Sequence, residues 1–216
     1  MKKILSLVIV LISVMMFAQN KPPYWTEVQK FKEIDAKQAP AQNVILFLGS
    51  SSFTMWQDAE DFFPGKTIIN RAFGGSSLKD LNYYHEDLLK PYQPKQIVIY
   101  CGENDFASEE SLKAKVVLKR FKTFYASIKE FHPNVPVVYV SAKMSPSRKH
   151  LWKQFAESNR LIEKFLKNKK ETYIDINKAM EDSNGNPRPE LYLDDMLHMK
   201  KDGYLIWAKV MAPYLK

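Results

Sequence analysis

The sequence predicts an α/β fold, a three-layer α/β/α sandwich around a five-stranded parallel sheet. Three observations lead there. Five short runs are apolar without alternation, Val44-Ile45-Leu46-Phe47-Leu48 being the clearest, and such runs suit strands covered on both faces. Helical patterns lie between consecutive runs. Strand and helix therefore alternate from Val44 onward, which implies parallel pairing through right-handed crossovers.

The elements follow in order. Lys2 and Lys3 precede an apolar run, Ile4 to Phe17, that ends in Ala18-Gln19-Asn20. A charged start, an apolar stretch too short for a membrane span and a small residue at the cut site read as a signal peptide over 1–19. No cysteine lies at the cleavage point, which argues against a lipid anchor. A polar helix follows, with Trp25, Val28, Phe31 and Ile34 read as its apolar stripe, and residues 20–42 form this helix and a linker around Pro40. Residues 43–216 are read as one domain. The other strand runs are Thr67 to Ile69, Gln96 to Cys101, Val137 to Val140 and Thr172 to Ile176. Between them, Ser77 to Leu89 reads as one helix. A longer helix opens at Ser108 and carries Val117, Phe121, Phe124, Ile128 and Phe131 in steps of four and three, before His132-Pro133 stops it. Leu151 to Leu166 is the next helix, and Gly203 precedes the last.

Composition narrows the function. The chain has 216 residues, enough for one domain with a core, and a single cysteine, Cys101, which sits inside an apolar run and reads as packed. An exported protein with one cysteine has no internal disulfide, so its core supplies its stability. Net charge is +8, two of those charges belonging to Lys2 and Lys3 of the leader. The other lysines are scattered along helices, as at Lys164, Lys167, Lys169 and Lys170, and read as solvated faces, so no nucleic-acid partner is expected. The four histidines show no metal-ligand spacing, and no metal or other cofactor is expected.

The chemistry gathers at strand ends. The first run enters Gly49-Ser50-Ser51-Ser52, the second Asn70 to Gly75, the third Gly102-Glu103-Asn104-Asp105. In a doubly wound sheet, ligands bind outside the carboxyl ends of strands, and a 2-1-3 order, taken from the fold class, makes these three loops neighbours. Far downstream, Asp195-Met196-Leu197-His198 puts a carboxylate three residues before an imidazole. A carboxylate there accepts the Nδ1–H and leaves Nε2 as a base. Serine, histidine and aspartate together point to covalent acyl chemistry, whose oxyanion needs fixed donors: a glycine N–H, an asparagine amide or the serine's own N–H. On residues alone the nucleophile is open among Ser50, Ser51 and Ser52. Asp175, at a strand end without a histidine near it in sequence, is the weaker candidate acid. Asp105 reads as local hydrogen bonding and Asn159 as a buried, satisfied amide. Of the nearby aromatics Phe53, Trp56, Tyr83 and Tyr84, one or two are expected to line a substrate pocket.

The four blocks together resemble the SGNH-hydrolase superfamily, also called GDSL esterases and lipases, over essentially the whole mature domain. Phe47-Leu48-Gly49-Ser50-Ser51 is similar to the nucleophile block, Asn70 to Gly75 to the second, Gly102 to Asp105 to the third, and Asp195 to His198, followed by Gly203-Tyr204, to the fifth. The resemblance implies the strand order 2-1-3-4-5. It also implies Ser51 as nucleophile, Asp195 and His198 as acid and base, and an oxyanion hole from Ser51, Gly75 and Asn104. Ser50 departs from the family's Gly-Asp-Ser but leaves the triad whole. The implied activity is hydrolysis of small-acyl or carbohydrate-borne esters by an exported enzyme without stable membrane insertion. The competing functions are O-acyl transfer, lysophospholipase or thioesterase action, and a non-catalytic carbohydrate-binding role. Because the base must be neutral, activity is expected to fall below about pH 6.5, where a free imidazole protonates.

Overall fold

The computed structural model describes residues 21–216. The signal peptide expected over 1–19 lies outside them. Helix α1 spans Trp25–Lys37, and the sheet follows with β1 at Val44–Gly49, β2 at Ile68–Asn70, β3 at Pro94–Tyr100, β4 at Val137–Val140 and β5 at Thr172–Ile174. All pairings are parallel and the order is β2-β1-β3-β4-β5, as the family resemblance implies. Every residue of β1 and β4 is buried. Successive side chains leave a strand on opposite sides. Leu46, Leu48, Ile97 and Ile99 therefore join one core with Phe121, Phe124, Phe155 and Ile162, while Ile45, Phe47, Val98 and Tyr100 join another with Phe53, Trp56 and Trp207. Burial on both faces is why these strands are written without polar alternation.

The helices that cover the sheet are α2 at Ser51–Thr54, α3 at Leu78–Tyr83, α4 at His85–Leu89, α5 at Glu103–Ser108, α6 at Ala114–Phe131, α7 at Trp152–Lys169, α8 at Asn177–Met180 and α9 at Lys201–Met211. Four sequence expectations need correction. The segment Ser77 to Leu89 is two helices, because Tyr84 leaves helical geometry between α3 and α4 and sends its hydroxyl to the Pro23 carbonyl, 2.5 Å away. The helix expected from Ser108 starts at Ala114. Ser108 closes the separate α5, and Glu109 after it leaves helical geometry at φ −149°, ψ 86°. Gly203 lies inside α9, not before it. A Cβ there would sit 2.9 Å from Met199 Cβ and 3.2 Å from the Leu191 carbonyl, so glycine permits close packing of the preceding loop.

The fourth correction concerns α1. Val28 is buried, but Ile34 is 53% exposed. At about 100° per residue, steps of three drift backward, and Ile34 lies about 180° from Trp25. Asp35, seven residues after Val28, takes the inward position instead. Its carboxylate meets Arg71 at 2.5 Å and the Tyr92 hydroxyl at 2.6 Å, which ties α1 to the loop after β2.

Candidate active site

Register brings the loops together. Phe47 pairs with Asn70 and Gly49 with Tyr100, so β1, β2 and β3 end side by side. Gly49 marks the closest approach: at φ +147° a Cβ would stand 1.9 Å from the Tyr100 carbonyl oxygen, and only glycine fits. The Gly49 carbonyl accepts the Phe73 N–H and the Ser76 hydroxyl, both at 3.0 Å. Asn70 spans the same gap, its amide donating to the Phe53 carbonyl at 2.6 Å while its oxygen accepts the Ala72 N–H. The serine turn and the glycine loop are thereby one rigid piece.

The fifth block closes on this edge. Residues 192–199 form a loop pinched by an antiparallel bridge between Tyr192 and Met199 and by the Leu193 N–H to the His198 carbonyl, 2.8 Å. Asp195 Oδ1 accepts the N–H groups of Leu197 and His198, and Oδ2 lies 2.5 Å from His198 Nδ1. His198 Nε2 lies 2.9 Å from Ser51 Oγ, across 147 residues of chain. With Nδ1–H directed at the carboxylate, Nε2 carries the lone pair and the serine O–H donates to it. Partial burial works to raise the Asp195 pKa. The hydrogen bonds from the His198 ring and from the two N–H groups outweigh it and hold the carboxyl at about 2. The acid thus stays ionised throughout the range in which an imidazole can serve as base.

Ser52 is the buried serine of the run, and its hydroxyl takes a hydrogen bond from Lys143 Nζ at 3.2 Å. Ser50 is likewise buried, and its carbonyl accepts the N–H groups of Phe53 and Thr54 in the turn of α2. Ser51 alone of the three lines the cleft, with Thr54, Met55, Gly74, Gly75, Arg148, Leu197 and His198. That cleft encloses about 650 Å³, part of it open to solvent. Asn104 donates from Nδ2 to the Ser76 carbonyl at 3.0 Å, which places its amide beside the glycine loop. Gly75 is held from the other side, where Tyr24 donates its hydroxyl to the Gly75 carbonyl at 2.8 Å.

Other candidates fall elsewhere. Asp175 accepts from Ser141 and from the Asn177 N–H at the end of β5, away from His198. Asp105 is fully buried and reaches well beyond its own turn, accepting the Leu78 N–H and pairing with Arg120 at 2.7 Å. Asn159 holds both the N–H and the carbonyl of Ala142 and is a satisfied buried amide. The aromatics disappoint as pocket walls. Phe53, Trp56 and Tyr84 are core residues, Tyr83 is 65% exposed, and none of the four lines the cleft, because β1 and β3 turn the rings of α2 inward. Cys101 is buried, its thiol 3.7 Å from the Ser76 carbonyl, and burial pushes its pKa up.

Sequence reasoning missed a buried charged cluster beneath the serine turn. Lys143, 1% exposed, follows β4 and sends Nζ to Ser52, to the Tyr100 hydroxyl at 3.1 Å and to Glu103 at 3.4 Å. The Tyr100 hydroxyl and the Lys143 N–H also donate to the Glu103 carboxylate. Arg148 completes the cluster, contacting Glu103 at 3.3 Å and Asn104 Oδ1 at 2.8 Å. Burial lowers the Lys143 pKa, and Glu103 offsets part of that. The available signal was position: Ser141-Ala142-Lys143 leaves a buried strand at the sheet edge where the other loops converge.

A doubly wound sheet with a serine, an imidazole and a carboxylate in hydrogen-bond sequence at its carboxyl edge places the protein among the α/β-sandwich enzymes. More narrowly, the chain belongs to the GDSL-like lipase/acylhydrolase family, whose sequence profile matches residues 35–206, and it is an ester hydrolase. Among curated proteins no sequence matches it. Solved structures share the fold. A Streptococcus pneumonia protein named for platelet activating factor is 18% identical with a TM-score of 0.77, covering 98% of this chain and 99% of its own. A GDSL-like lipase of Bacteroides thetaiotaomicron is 18% identical with a TM-score of 0.72, covering 87% of this chain and 96% of its own. Among the described residues no helix is long and apolar enough to cross a membrane, and no group of three His, Cys, Asp or Glu side chains is placed to hold a metal ion.

Proposed function

We propose that the protein is an exported serine esterase that hydrolyses small-acyl or carbohydrate-borne carboxylic esters through an acyl-enzyme on Ser51. His198 Nε2 takes the Ser51 proton as Oγ attacks the ester carbonyl. The oxyanion is received by the N–H groups of Ser51 and Gly75 and the Asn104 amide. The ester C–O bond breaks, and the alcohol leaves with the proton from His198. Water then attacks the acyl-serine, gives its proton to His198, and frees the carboxylic acid while Ser51 recovers its hydrogen. Asp195 stays ionised and stabilises the imidazolium at each proton transfer.

The observation that carries this reading is the 2.9 Å contact from His198 Nε2 to Ser51 Oγ, with Asp195 on the other ring nitrogen. Short acyl groups are supported by the cleft walls, whose apolar part is Thr54, Met55 and Leu197, without the buried rings that would extend it for a long chain. Export is supported by the leader pattern over 1–19.

The test is a panel of aryl esters of rising acyl length together with acetylated sugars. Wild type is expected to favour the short acyl groups, and Ser51→Ala to lose at least about 10³-fold in kcat. A Ser51→Ala protein with wild-type turnover removes the nucleophile assignment. Recovery of a secreted chain whose N-terminus still precedes residue 18 removes the cleavage assignment.

A further inference from the structure

Arg148 carries a role that the triad does not explain. It lies in a short 3-10 segment, Pro146–Leu151, yet its own φ of −107° and ψ of 26° depart from helical values. That departure lies near the sparsely populated bridge region, where functional residues often sit. The segment is fastened to the histidine loop by the Ser147 N–H to the Met196 carbonyl, 3.0 Å. From there the guanidinium reaches into the cleft. One nitrogen pairs with Glu103 at 3.3 Å, and another donates to Asn104 Oδ1 at 2.8 Å.

The second contact decides which end of the Asn104 amide is which. A guanidinium only donates, so the atom facing it must be the amide oxygen. The amide nitrogen then faces the Ser76 carbonyl at 3.0 Å, spends one hydrogen there and keeps the other. A flipped amide would oppose NH₂ to the guanidinium and oxygen to oxygen. We propose that Arg148 is a positioning residue that locks the Asn104 amide with its N–H, not its oxygen, turned to the oxyanion. Glu103 holds Arg148 in place, and Lys143 and Tyr100 hold Glu103. The inference rests on the esterase reading above, because it needs an oxyanion at Ser51.

The test is a double-mutant cycle of Arg148→Met and Asn104→Ala on p-nitrophenyl acetate, with the rate of Ser51 labelling by a fluorophosphonate as a second readout. The phosphonyl oxygen occupies the same place as the oxyanion, so labelling does not depend on knowing the natural ester. Losing an oxyanion donor outright costs about 10²–10³-fold. Misdirecting one is expected to cost about tenfold in kcat and in labelling rate, with KM within about twofold. In the Asn104→Ala background the Arg148 change is expected to add less than about twofold. Arg148→Lys keeps a charge beside Glu103 but lacks the planar fork, and is expected to recover part of the rate. If Arg148→Met does not fold, Arg148→Lys carries the cycle instead.

Additive losses in the cycle overturn the proposal. So does a rise in KM confined to anionic esters, which would assign Arg148 to the substrate. A wild type that neither turns over nor is labelled removes the esterase reading itself. A labelled wild type whose Arg148 variants react at the same rate removes only this inference.

Discussion

At the scale of single residues, Lys143 is the most exposed to test, because it is buried where a charge is costly. Its folded pKa lies below the ordinary 10.5 through burial, so the folded chain gives up this proton before the unfolded chain does. Between those two values the unfolded chain binds more protons, and raising the pH favours the fold. Lys143→Met removes that contribution. The stability difference, wild type minus variant, is expected to grow with pH from the depressed value up to about 10.5 and then to level off. Paired thermal melts across that range check the slope, and a difference that shrinks with rising pH contradicts the burial account. Asp195 runs in the opposite sense. Its folded pKa of about 2 lies below that of a free carboxyl, so its favourable contribution is present above the unfolded value and is lost as pH falls through about 2.

Residue chemistry was only partly legible in the sequence. Asp195 and His198 could be paired because they are three apart and share a turn. Arg148 and Asn104 are 44 residues apart and touch only because β3 and β4 are neighbours. No local pattern encodes that contact. Ser50, Ser51 and Ser52 are likewise equal as letters. What separates them is the direction each faces once α2 has turned.

At the scale of elements, α1 is the piece with most at stake. Asp35, Arg71 and Tyr92 bind it to the body, with both charged side chains only 12% exposed. Asp35→Ala strands a guanidinium and is expected to cost about 3 kcal/mol, read from chemical denaturation. Just before α1, Tyr24 holds the Gly75 carbonyl. Tyr24→Phe removes one hydrogen bond, worth about 1 kcal/mol. It is expected to lower kcat severalfold with little change in KM, while the melting temperature moves by only a few degrees. A variant with unchanged kcat would show that the glycine loop holds its shape without the tyrosine. The helix was foreseeable from its composition, and so was part of its inward face. Steps of three found Val28 and Phe31, which do meet the core, but named Ile34 where the carboxylate of Asp35 turns inward.

At the scale of the whole molecule, two cores on either side of one sheet supply the stability, and Cys101, the chain's one cysteine, lies in the first of them. Reductant is therefore expected to leave the melting temperature unchanged. Cys101 is 3% exposed, and burial pushes its thiol pKa well up. Iodoacetamide is expected to modify it only when the sheet opens, so mass spectrometry across a denaturant series should follow global unfolding. Rapid labelling of the native protein would mean that the first core opens locally. The strand runs were readable because covering both faces leaves no polar letters in β1 or β4. The convergence of the loops was not, since strand order came from the fold class and not from any residue.

The loop of residues 192–199 is braced from within. Its own bridge, carbonyl and carboxylate contacts fix the proton acceptor and its counter-ion relative to each other before either meets the remainder of the enzyme. The loop is thus a cassette that meets the serine turn through one contact, the hydroxyl across the gap, while the Ser147 N–H tethers its far side at the Met196 carbonyl. Sliding it would uncouple that joint while sparing the internal pair, so hinge changes at its two stems should switch turnover off without disturbing the imidazole's tautomer, which nitrogen-15 NMR can read.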